Sequence, residues 1–143
     1  MLDTPRDYAR AHDECSDPAR LIELLYQRAL RDLKTAAEAG PDMGRSPATA
    51  ELLGHVQAIV RQLRASLDYV QGGYLAYNLG RVYEYMQLRL TEVISGEADD
   101  PQARIGEVIA LLEGLSDAWN TMSNTCADGP AARTLVRQGT LVA

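Results

Sequence analysis

Four of the seven tyrosines in this 143-residue chain, Tyr74, Tyr77, Tyr83 and Tyr85, crowd one short stretch. Each offers an apolar ring with a hydrogen-bonding tip. Set beside an aliphatic stripe, such side chains suit a groove that accepts a partner helix yet stays wettable when empty. They exceed what one buried face can absorb. For each residue taken singly, and for Tyr77 or Tyr83 in particular, the plainer expectation is a ring bordering the core with its hydroxyl in water.

The other residues capable of chemistry do not assemble into a site. His12 and Cys15 have an H-x-x-C spacing, and Cys126 adds a third ligand only if the chain ends meet, which falls short of a tetrahedral metal site. His55 follows Glu51 at a spacing of four, so neither histidine fits the Glu-x-x-His of a di-iron bundle. There is no G-x-x-x-x-G-K-[ST], no G-x-G-x-x-G after a strand and no H-E-x-x-H. Glu23, Asp32, Glu84 and Glu92 fall mostly on faces expected to be solvated, where acids serve solubility. No cofactor, no metal and no enzymatic activity are expected.

Composition narrows the classes further. A chain of this length with 46% hydrophobic residues can bury a sizeable core as one domain. The net charge is −6 and Lys34 is the sole lysine, so the clustered positive charge that nucleic-acid binding needs is missing. The first residues lack the apolar run and basic flank of an export signal, and no stretch approaches the roughly twenty apolar residues of a membrane span. The expectation is a cytoplasmic protein without membrane insertion, its two cysteines reduced.

The elements that position these residues are marked by proline. Asp17-Pro18, Ser46-Pro47 and Asp100-Pro101 each pair a capping side chain with a proline at the first helical position. From these starts apolar residues recur at spacings of three and four. The first run carries Ile22, Leu25, Ala29, Leu33 and Ala36, and Gly40-Pro41 ends it. The second carries Leu52, Val56, Ile59, Leu63 and Leu67; the third Leu75, Leu79, Val82, Met86, Leu90 and Val93; the fourth Ile105, Val108, Leu112, Leu115, Trp119 and Met122. The spacing predicts helices over about 18–39, 47–70, 74–95 and 101–125 in an all-α, antiparallel up-down four-helix bundle. Gly72-Gly73 reads as the left-handed cap and tight link between the second and third helices. A flexible arm, 1–16, precedes the bundle, and a tail, 127–143, has room for a short fifth helix that needs packing on the bundle to persist.

Three blocks resemble the FliS family of flagellar secretion chaperones, over about residues 8–122. One is the run from Ser16-Asp17-Pro18 through Leu24-Leu25-Tyr26 to Ala29-Leu30. The second runs from Ser66-Leu67-Asp68 through Gly72-Gly73, Ala76, Asn78-Leu79, Tyr83 and Tyr85-Met86 to Arg89-Leu90. The third is Leu111-Leu112-Glu113-Gly114-Leu115-Ser116-Asp117-Ala118-Trp119. Asp17 stands where the family usually has Ser, and Gln27-Arg28 replaces Asp-Gly.

The resemblance implies a bundle with a short fifth helix that binds the C-terminal segment of flagellin as helices in apolar grooves. It further implies delivery to the cytoplasmic domain of the flagellar export gate, and an arm, with Tyr8 as its tyrosine, that covers part of the groove until cargo arrives. On this reading Tyr8, Tyr74, Tyr77, Asn78 and Tyr85 are expected to face cargo. Asp17, Pro18, Leu25, Gly72, Gly73, Leu79, Met86 and Trp119 are expected to hold the bundle. Two alternatives stay open: an adaptor or regulator for another amphipathic helix, such as an anti-sigma factor or partner chaperone, and a homodimer through the groove when cargo is absent.

Overall fold

The structure is a computed structural model that describes residues 17–123. Among these residues are four α-helices: α1 (Asp17–Ala37), α2 (Pro47–Ala65), α3 (Tyr69–Ile94) and α4 (Pro101–Ser123). A short 3₁₀ helix, Gly40–Arg45, lies between α1 and α2. Each helix packs on its sequence neighbours and α4 returns to α1, which closes an antiparallel square. None of these helices is long and apolar enough to cross a membrane. The expected arm and tail helix, with Tyr8, His12, Cys15 and Cys126, lie outside the described residues.

The capping chemistry sets the starts. Ser46 accepts a hydrogen bond from the Thr49 amide at 3.4 Å, with Pro47 as the first helical residue of α2. Asp100 Oδ1 accepts from the Ala103 amide at 3.1 Å ahead of Pro101. Each such cap is worth about 1 kcal/mol. α1 begins at Asp17, at the first expected pair.

The link between α2 and α3 differs from expectation. α2 ends at Ala65, not near residue 70, because Ser66 Oγ turns back to the Leu63 carbonyl at 2.7 Å and Leu67 drops into the core. Asp68 then caps a new turn, accepting from the Val70 and Gln71 amides at 3.1 Å each. Gly72 belongs to that turn, its amide donating to the Asp68 carbonyl at 2.8 Å, so it caps nothing of α2. Gly73 does have the expected positive φ, with φ 55° and ψ −131°, but it kinks α3 between this first turn and the long body of the helix. A side chain would be strained in that conformation, which explains the glycine.

The core follows the apolar stripes with a one-residue rotation in two places. On α1, Tyr26 occupies the central position and Leu25 packs at the margin. On α3 the buried line is Ala76, Gly80, Tyr83, Met86, Leu90 and Val93, while Leu79 and Val82 are half-buried and Leu75 is 59% exposed. Small residues cause the shift. A Cβ on Gly80 would stand 2.8 Å from the Tyr69 hydroxyl and 3.5 Å from Leu67, so the bare backbone lets that corner close.

Tyr83 corrects the expectation of a phenol with its hydroxyl in water. Both Tyr26 and Tyr83 are buried, and their hydroxyls hydrogen-bond across the bundle from α1 to α3. Trp119 of α4 stands edge-on to Tyr26, 6.5 Å between centroids. Burial pushes the Tyr26 hydroxyl up to about 12, and Tyr83 well above the ordinary 10.0, because an anion there would be stripped of water. Met43, from the 3₁₀ segment, is fully buried, and that segment touches all four helices, closing one end of the bundle. Nothing in the apolar periodicity pointed to it.

Candidate functional site

α3 presents different flanks to its two neighbours. Toward α2 the seam is stitched: the Gln87 side chain donates to the Gln57 carbonyl at 2.8 Å, the Gln57 amide donates to Thr91 Oγ1 at 2.9 Å, and Arg64 pairs with Glu84 at 3.5 Å. Toward α4 the helices part into a groove of about 420 Å³, lined by Asn78, Arg81, Val82, Tyr85, Glu107 and Leu111. Asn78, Val82 and Tyr85 stand at i, i+4 and i+7 on α3, one continuous face of a helix.

The far wall of this groove is fixed. The Tyr85 hydroxyl donates to Glu107 Oε1 of α4, and the Arg89 guanidinium lies over the Tyr85 ring at 4.7 Å. Arg89 donates from Nη1 to both oxygens of Glu92, at 2.7 and 2.9 Å. Arg104 then reaches Glu92 and Glu107 at 3.7 Å each. Tyr85 is thus held at its face and its tip, which makes it a rigid border for whatever enters.

The expected cargo-facing residues fall into two groups. Asn78 and Tyr85 line the α3–α4 groove. Tyr74 and Tyr77 lie outside it as a pair with ring centroids 6.3 Å apart, 81% and 54% exposed. Val70, Leu75 and Tyr69 extend this second patch around the kinked start of α3, at 92%, 59% and 41% exposure. Of the expected structural residues, Met86 and Trp119 are buried and Leu25 and Leu79 pack at the edge of the core.

Sequence reasoning missed Arg81, Glu107 and Leu111 as groove residues, and placed Val82 on the apolar stripe without separating groove from core. Their signal was available as spacing: Arg81 and Val82 fall between Asn78 and Tyr85 at helical intervals. What was missing was the register of α4, which no α3 residue reveals.

The groove combines an apolar floor of Val82 and Leu111 with the polar tips of Asn78, Arg81 and Glu107, and its one carboxylate is engaged by Tyr85 and Arg104. Among the described residues no group of three or more His, Cys, Asp or Glu stands close enough to hold a metal ion.

Comparison with known proteins identifies the family. Residues 1–126 match the family described as flagellar protein FliS. The chain is 37% identical over 109 residues to the flagellar secretion chaperone FliSB of Pseudomonas aeruginosa, covering 76% of this chain and 83% of that protein. It is 33% identical over 111 residues to the flagellar secretion chaperone FliS of Salmonella typhimurium, covering 76% and 78%. The FliS of Vibrio cholerae is 28% identical over 105 residues. A bundle of this topology, with a tyrosine-bordered groove and a match across most of its length, belongs to the FliS family.

Proposed function

We propose that this chain is a cytoplasmic flagellar export chaperone that binds the C-terminal helical segment of flagellin. By covering that segment it prevents premature polymerisation, and it delivers its cargo to the cytoplasmic domain of the flagellar export gate. The observation that carries the reading is a half-open seam on α3 bordered by Tyr85, with the exposed Tyr74 and Tyr77 on the same helix, in a chain whose relatives bear the name flagellar secretion chaperone. It acts by binding, without catalysis.

The physics of such a task fits the site. An amphipathic segment that is disordered when free must be ordered on docking, which takes about 2–5 kcal/mol or more from the gross interaction. A groove with one rigid wall recovers part of this, because Tyr85 loses no further freedom when cargo arrives. In this proposal Asn78 and Tyr85 meet one cargo helix in the groove, and Tyr74 and Tyr77 meet a neighbouring stretch of the same segment. Tyr8 belongs to an arm that competes for the groove.

The test is co-purification with full-length flagellin and with flagellin lacking its last ~40 residues, a length of about two to three short helices. Capture of the first and loss of the second is expected. Equal capture of both would move the reading to an adaptor for some other helix.

A further inference from the structure

The groove carries a charge that no described residue pairs. Its floor, Val82 and Leu111, is apolar and half-buried, and its carboxylate, Glu107, is engaged by Tyr85 and Arg104. Arg81 differs. It is exposed on the groove lining and has neither an ion pair nor a hydrogen-bonded side-chain partner among the described residues. The acid nearest to it along α3 is Glu84, three residues on, and Glu84 pairs with Arg64 of α2 at 3.5 Å. Beside it Asn78 is likewise exposed, its amide without a partner among the described residues.

We infer that Arg81, with Asn78, reads an acidic residue on the helix that occupies the α3–α4 groove. The occupant is an amphipathic helical segment of flagellin whose apolar ridge fills the space between Val82 and Leu111, with a carboxylate within one turn of that ridge. The argument is complementarity: in a chain of net charge −6, a cation at the rim of an apolar seam that no described residue pairs favours a partner with a negative charge there and disfavours a positive one. The amide of Asn78 can donate to the same carboxylate or to the backbone of the docked helix. This rests on the flagellin reading above and adds the rule by which the groove selects among apolar helices.

The test is calorimetric titration of the full chain with flagellin, comparing the parent with Arg81→Glu and with Arg81→Gln. Arg81→Glu is expected to weaken binding about tenfold and Arg81→Gln about threefold, the usual range for a rim ion pair replaced by like charge or by none. Both effects should shrink at high salt. Reversal of single acids in the flagellin segment to lysine should then restore binding to Arg81→Glu at one position and weaken binding to the parent there. Unchanged affinity in both variants, or no restoring reversal, overturns the inference while leaving flagellin binding intact. If the parent binds no flagellin, the chaperone reading falls and this inference with it. Loss of the Arg81→Glu effect in a chain lacking residues 1–16 would assign the acid to the arm, and a change confined to self-association on sedimentation would assign it to a second copy. Either result overturns it.

Discussion

Two tyrosine pairs lie along α3 and its neighbours, and they have opposite fates. Tyr26 and Tyr83 meet inside the bundle with their hydroxyls bonded to each other and water excluded. Tyr74 and Tyr77 meet outside it, ring to ring, with their hydroxyls free to water. Residue type is the same; what differs is helical register and a partner for the polar tip. A phenol is buried at low cost only if a second polar group is buried with it. In a chain with no phenylalanine and one tryptophan, tyrosine serves both in the core and on the surface, so a partner for the hydroxyl decides which is which.

Breaking the inner pair should have the largest effect. Tyr83→Ala is expected to cost about 3–5 kcal/mol of stability, the range for deleting a large core aromatic, read as a fall in the denaturant midpoint. Smaller, and more diagnostic, is removal of hydroxyls alone. Tyr26→Phe or Tyr83→Phe singly strands a buried hydroxyl and should cost about 1–3 kcal/mol, whereas the double variant should recover most of it. Additive single losses would show that the hydroxyls do not depend on each other.

The same double variant tests the pH dependence of the pair. The unfolded Tyr26 hydroxyl ionises near 10.0 and the folded one near 12, raised by burial. The contribution of this group is therefore complete below pH 10, declines as the unfolded state ionises, and is lost as pH passes 12. Unfolding measured at pH 9 and pH 11.5 should show a steeper fall for the parent than for the double phenylalanine variant. Parallel falls would remove the buried pair as the cause. Least of all for stability, Tyr74→Ser and Tyr77→Ser are each expected to shift it by under about 0.5 kcal/mol, since exposed rings hold nothing else in place. Their effect should instead be read in capture of flagellin, and a stability loss as large as that of Tyr83→Ala would erase the distinction.

Much of the fold was legible because its cues are local. The pairs Ser46-Pro47 and Asp100-Pro101 announce helix starts through chemistry confined to four residues, and periodicity gave α4 its buried line of Ile105, Val108, Leu112 and Trp119. The second corner was not, because two signals competed there. Gly72-Gly73 resembles a helix end, but Asp68 caps earlier and Leu67 anchors the turn through a contact distant in sequence. Leu75 likewise falls on the apolar stripe, yet the buried line runs through the small residues Ala76 and Gly80 and turns Tyr83 inward. Asn78 and Tyr85 were legible as surface candidates by type. Their groove was not, since it depends on where α4 puts Glu107 and Leu111. Single-helix periodicity carries no information about the gap between two helices.

Met43 gives the molecule a direction along its long axis. The 3₁₀ segment stoppers the end of the bundle where α1 and α3 finish, while the start of α3, with Tyr69, Val70, Tyr74 and Tyr77, lies at the other. Asp42 and Asp99 sit exposed near the stoppered end. A tether or reporter fixed at either position would hold the protein by its blunt pole and leave the tyrosine pole pointing into solution. That makes the stopper a practical handle for measuring docking at the tyrosine pole.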